Sequence, residues 1–194
     1  MKFANFPIFI SIMLFCTACG NEIRSKKDIV KSQDYQREII LHELKGDTLE
    51  IVSTSRKLFF PFGQFTTLNE LLSKHPLVLT SQYKSRDSTT IYQYTLGRNT
   101  LRFILTEDGF DDIIKMMIVD AEILDNKIKI WDKIYVGMDK KELLFILYGN
   151  MPQVQIDKIN SVTLISGLVG VWYYYAFSGN KLYSIIVRSD YSID

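Results

Sequence analysis

The sequence predicts an α+β protein made of two tandem units, each a short helix packed on an antiparallel β-sheet. Two observations predict it. Phe62-Gly63 is followed by Thr67-Leu68-Asn69-Glu70-Leu71-Leu72, and Val136-Gly137 by Asp139-Lys140-Lys141-Glu142-Leu143-Leu144. Each block has an N-cap residue with Glu three positions later, a capping box in which two orphan backbone N–H groups are satisfied reciprocally. The second observation is a pair of strand–turn–strand blocks. Tyr92-Gln93-Tyr94-Thr95-Leu96-Gly97-Arg98-Asn99-Thr100-Leu101 aligns with Tyr173-Tyr174-Tyr175-Ala176-Phe177-Ser178-Gly179-Asn180-Lys181-Leu182 at an offset of 81. Helix followed by hairpin, occurring twice, suggests duplication. A rival offset of 70 pairs Gly109 with Gly179, Asp120 with Asp190 and Ile123 with Ile193, but its matches are not contiguous. Chance likeness of two ordinary hairpins is the competing explanation.

The chain opens with Lys2 and an uncharged run, Phe6 to Phe15, in which only Ser11 is polar. Together they have the n-region and h-region of a secretory signal peptide. The run is too short for a bilayer span, which takes about 20 apolar residues. Cys16-Thr17-Ala18-Cys19 resembles the lipobox of bacterial lipoproteins, although Cys16 stands where that family has Leu. The resemblance implies cleavage after Ala18 and lipidation of Cys19, an anchor of palmitate-type acyl chains. An ordinary secretory cut at the same place, leaving a free thiol, is the alternative. Residues 1–18 are thus read as signal peptide and 19–37 as a polar tether. The first α+β unit is read as 38–123 and the second as 124–194.

Within the first unit, Glu38–Leu44 and Thr48–Thr54 flank the turn tripeptide Lys45-Gly46-Asp47 and read as a hairpin. A helix through Ile39, Ile40 and Leu44 competes. The run Leu58 to Phe62 reads as core or as a docking edge blunted by Pro61. Pro76 ends the first helix. Thr106 to Asp112 is acidic but lacks the alternating ligands and closing Glu of a calcium loop, so it reads as a solvated turn into the strand Ile113–Val119. In the second unit Gly149 and Pro152 close the helix that Asp139 opens. The uncharged stretch from Ile159 to Asn180 reads as two strands, Val162–Ser166 and Val171–Phe177, because polar and glycine residues interrupt it.

Composition bounds the function. The full chain has 23 basic and 22 acidic residues, and removing the signal peptide takes only Lys2 with it. A balanced charge argues against nucleic acid as a partner, since the phosphate backbone calls for a basic excess. With 47% apolar residues the chain can bury a core. Cys19 is the only cysteine left after cleavage, so no internal disulfide, thiolate metal site or CxxC pair forms. The two histidines, His42 and His75, have no nucleophile motif beside them, and no GxSxG, HExxH, SxxK or phosphate loop occurs. The expectation is a non-enzyme without metal or cofactor, with His75 capping carbonyls at the end of its helix.

Aromatic density is what remains. Trp172, Tyr173, Tyr174 and Tyr175 are consecutive in a predicted strand, so Trp172 and Tyr174 share one sheet face and Tyr173 and Tyr175 the other. One pair packs beneath the helix over 139–148. Trp172, Tyr173 and Tyr175 are the candidate binding residues.

Val136-Gly137-Met138, the capped helix, Gly149, Pro152 and Trp172-x-Tyr174 resemble the SmpA/OmlA family of small outer-membrane assembly lipoproteins. That family shares its ααβββ shape with the β-lactamase inhibitor protein, itself a tandem duplication. The family's Gly-x-Pro is stretched here to Gly149-Asn150-Met151-Pro152. The resemblance implies location in the outer membrane, facing the periplasm, and a role as a protein-binding accessory or scaffold subunit. The alternative is an inhibitor or immunity protein against a secreted hydrolase or toxin.

Overall fold

Three hairpins with two-residue turns set the frame: β1 (Ile39–Lys45) with β2 (Thr48–Ser53), β4 (Thr90–Leu96) with β5 (Asn99–Asp108), and β8 (Val171–Ser178) with β9 (Lys181–Ser189). The computed structural model describes residues 39–63, 68–85, 88–108, 113–167 and 170–191. The stretches read as signal peptide and tether lie outside the described residues, as do Cys19 and Thr67. Each hairpin turn begins with glycine in the left-handed region, at φ +66° in Gly97 and +58° in Gly179. Glycine adopts that conformation without steric cost, which is why these dipeptides reverse the chain. β3 (Val78–Lys84), β6 (Ile113–Ile123) and β7 (Ser161–Ser166) complete the strands of the described residues. The helices are α1 (Leu68–Lys74), α2 (Lys140–Leu147) and α3 (Gln153–Ile156), with a 3-10 turn at Arg56–Phe59.

All nine strands form one mixed sheet in the order β1-β2-β7-β8-β9-β6-β5-β4-β3. The expectation of two tandem α+β units is therefore corrected. β6, from the first half, pairs antiparallel with β9, with Asp120 opposite Arg188 and Ile123 opposite Ile185. β2 pairs in parallel with β7, Thr48 opposite Ser161 through Ser53 opposite Ser166. The sheet dominates and the helices are short. Each half would leave open strand edges, and joining them satisfies their backbone groups in one ladder. The alignment at 81 also slips at its turns, because Gly97 and Gly179 are 82 residues apart and β9 carries a bulge opposite Ala176/Phe177.

One face of the sheet carries the core. Leu49 and Ile51, Val162 and Leu164, Tyr173 and Tyr175, Ile185 and Val187, Ala121 and Ile123, and Leu101 and Phe103 supply six adjacent strands with buried side chains. Leu71 of α1, Leu143, Leu144 and Leu147 of α2, Ile156 of α3 and Leu58 of the 3-10 turn join the same cluster. The Tyr173 and Tyr175 rings stack at 6.3 Å and 9°, and Trp131 lies 5.2 Å from Tyr173. The Tyr173 hydroxyl donates to the Leu58 carbonyl, and Trp131 donates through Nε1 to the Lys57 carbonyl at 2.9 Å. Trp131 and Asp132 hold positive φ, +51° and +59°, an uncommon state for non-glycine residues, in the tight loop from Ile130 to Ile134. The Asp132 carboxylate meets Lys74 of α1 at 2.7 Å.

The helix ends differ from the capping-box expectation at α2. Asp139 is the N-cap residue, but its side chain makes no cap hydrogen bond. Its carboxylate points instead to Lys181 Nζ at 3.2 Å, tying the helix start to β9. Lys140, the next residue, is buried and donates to the Ile159 carbonyl at 2.7 Å.

Tyr173→Ala should lower unfolding free energy by about 3–5 kcal/mol, the cost of deleting a buried ring. Tyr173→Phe should cost about 1–3 kcal/mol, because the buried Leu58 carbonyl loses its donor while packing survives. Urea unfolding of the two variants measures both. Equal and negligible losses would mean the ring is not in the core.

Candidate functional site

The pleat of β8 sorts four consecutive aromatics onto two faces. Tyr173 and Tyr175 are fully buried against the helices, so these two candidate binding residues form the core rather than a surface. Trp172, the third candidate, lies half-buried on the opposite face with Tyr174, which is 38% exposed.

Strand register builds a continuous row around Trp172. Leu41 stands opposite Val52, Val52 opposite Ile165, Ile165 opposite Trp172, and Trp172 opposite Arg188. The row continues through Asp120 to Arg102. A neighbouring row runs Glu50, Thr163, Tyr174, Ile186, Glu122 and Thr100. Facing residues in a register row share one side of the sheet, so both rows lie on the face away from α1, α2 and α3. Leu41 is 60% exposed, while Val52, Ile165, Trp172 and Ile186 are half-buried. A solvated face of an antiparallel sheet ordinarily alternates to polar residues. Here four apolar residues in a row, with Tyr174 and Ile186 beside them, occupy it instead.

Charge frames this patch. On one flank Lys45 binds Glu50 at 2.5 Å, and on the other Arg102 binds Asp120 at 2.7 Å. Arg102 also reaches the Tyr83 hydroxyl at 3.4 Å, and its guanidinium is held above its ordinary value: burial works against the charge, and the Tyr83 and Asp120 hydrogen bonds outweigh it. Between these pairs Arg188 and Glu122 are exposed and form no ion pair among the described residues. Beyond the Arg102 flank the same side of the sheet holds a small buried cluster of Ile91, Ile104 and Val119, with Met117 packed on it. The open patch therefore spans β1, β2, β7, β8, β9 and β6.

The other candidates have structural roles. His42 shares a hydrogen bond of 2.9 Å with the Tyr148 hydroxyl, and the two rings meet edge-on at 4.8 Å, joining β1 to the end of α2. His75 is buried, and its ring bonds the backbone of Phe62 rather than capping its own helix. A cleft of about 400 Å³ between α2 and α3 is lined by Leu144, Phe145, Met151 and Ile156, with Asp139 and Glu142 at its rim. Among the described residues no group of three or more His, Cys, Asp or Glu could hold a metal ion. No described helix is long and apolar enough to cross a membrane. Sequence reasoning missed Ile165, Ile186 and Arg188. Arg188 was the available signal: a charged residue between buried Val187 and Ser189 marks the outward face, and its register partner is Trp172.

No family model matches this chain, and no curated protein or solved structure is significantly similar to it.

Burial and the neighbouring Lys74 charge hold His75 below its ordinary value of 6.5, against the weaker pulls of Asp132 and the Phe62 backbone. The unfolded chain therefore binds this proton first, and stability rises with pH through that window. The contribution is complete above 6.5 and is lost as pH falls below it toward the folded value. The melting temperature should drop on acidification across this range, and His75→Gln should flatten that part of the profile. A variant profile as steep as the wild type would assign the acid sensitivity elsewhere.

Proposed function

We propose that the chain is a non-enzymatic, lipid-anchored lipoprotein of the cell envelope that docks protein on the open face of its sheet. The observation that carries the docking role is the row Leu41–Val52–Ile165–Trp172–Arg188, flanked by Tyr174 and Ile186. Trp, Tyr and Arg are the residue types that dominate interface energetics, and their combination with an ion pair on each flank suits a desolvated centre with a polar rim. The anchor rests on the sequence alone. Its thiol, Cys19, takes the acyl chains, and each buried CH₂ contributes about 0.8 kcal/mol, so two or more chains hold the protein stably. The outer membrane, on the periplasmic side, is the location this reading assigns.

The inhibitor or immunity reading draws on the same observation. Such a protein needs an exposed sheet face rich in Trp and Tyr, whereas an accessory subunit can bind through its edges or tether. Trp172 and Tyr174 on this face favour keeping it as the second reading.

Two measurements test the proposal. Cys19→Ser should shift the protein from the membrane fraction to a soluble or uncleaved form, and the wild-type N-terminal peptide should carry acyl mass. A wild type that salt washes off membranes, with no acyl mass, overturns the anchor. The double variant Trp172→Ala, Tyr174→Ala should abolish cross-linking to envelope proteins while stability falls by about 1 kcal/mol, as for residues outside the core. Undiminished cross-linking overturns the docking face.

A further inference from the structure

The geometry points to a second copy of this chain as an occupant of the open face, an inference that rests on the docking role above. The patch is self-complementary in charge. Arg188 on β9 and Glu122 on the adjacent strand β6 stand one row apart, with Asp120 opposite Arg188 and Ile186 opposite Glu122. Asp120 is already engaged by Arg102 at 2.7 Å, which leaves Arg188 and Glu122 as an exposed cation and an exposed anion on neighbouring strands. Asp190, two residues after Arg188 and just past the end of β9, has its carboxylate seated over Gly170, so close that a Cβ there would meet it at 1.8 Å.

A two-fold axis lying between two such faces, and passing midway between Arg188 and Glu122, places each above its opposite in the other copy. The Arg188–Glu122 contact then forms twice, as an isologous interface requires. Ile186 and Tyr174 fall along the same axis and meet their own counterparts, so the apolar centre is also matched to itself. The axis runs diagonally to the strands, and the two sheets cross steeply, an established mode of sheet packing.

The area fits an association supported by the membrane. Six strands about 4.8 Å apart and two residue rows of about 7 Å each give on the order of 400 Å² per copy. The pair buries about 800 Å², below the roughly 1,000 Å² of a stable specific interface. Such a contact is weak in dilute solution. Anchoring both copies to one surface raises their effective concentration, the same mechanism by which linked sites gain avidity.

Cysteine cross-linking of the full chain in its membrane tests this. Ile186→Cys places a thiol beside the axis, and mild oxidation should give a covalent species of twice the monomer mass. Lys158→Cys, exposed and remote from the patch, should not. Adding Arg188→Glu or Glu122→Arg sets like charges against each other and should cut the dimer by about tenfold or more. Combining Arg188→Glu with Glu122→Arg should restore it. Restoration is the decisive arm when each single reversal keeps the wild-type melting temperature, because Arg188 and Glu122 are also diagonal neighbours within one chain and the double reversal relieves repulsion there too. No dimer from Ile186→Cys, or a dimer indifferent to both reversals, overturns the inference. An adduct of Ile186→Cys with a different protein, and no dimer, overturns the self-pairing while leaving the docking role intact.

Discussion

The pleat of β8 is the constraint on which both the core and the candidate site depend. Successive side chains of a strand point to opposite faces, so burying Tyr173 and Tyr175 commits Trp172 and Tyr174 to the other side. Burial of the first pair is secured from three directions. The rings stack on one another, Trp131 packs against Tyr173, and the Tyr173 hydroxyl finds the Leu58 carbonyl. A slip of β8 by one residue would drive Trp172 and Tyr174 into the helix layer and expose two tyrosines from the core. Such a slip moves every side chain of the strand at once, so register here is strongly specified.

That fixed register extends across the sheet. β8 sits between β7 and β9, β9 joins β6, and β7 joins β2 in parallel. Parallel pairing needs a long crossover, and here the chain travels through β3 to β6, α2 and α3 before β7 returns beside β2. Consequently Val52, Ile165, Trp172 and Arg188 are brought side by side from distant parts of the chain. The candidate docking face is a property of the assembled sheet and of no single segment.

Most local elements were legible in the sequence, β3 and α3 excepted; the assembly was not. Glycine turns announced the hairpins, and the helices over 68–74 and 140–147 follow from their Leu pairs and start signals. Asp139 did mark a helix start, but its carboxylate was drawn to Lys181, a residue that only the folded chain brings near. The tandem-unit reading failed because hairpin and helix signals are local, while the β6–β9 and β2–β7 pairings join residues far apart in the chain. The core position of Tyr173 and Tyr175 was hidden for a different reason. Val171 to Phe177 is apolar at nearly every position, so its alternation has no visible polar face. Arg188, read across the ladder from Trp172, supplies the missing sign.

Tyrosine-selective labelling read residue by residue by mass spectrometry tests the central claim most directly. In the dilute purified protein Tyr174 should react readily, while Tyr173 and Tyr175 stay protected until the chain unfolds. In intact envelopes Tyr174 should become protected as well, because the open face is then occupied. Reaction of Tyr173 or Tyr175 in the folded protein, or a Tyr174 equally reactive in both settings, would contradict the account.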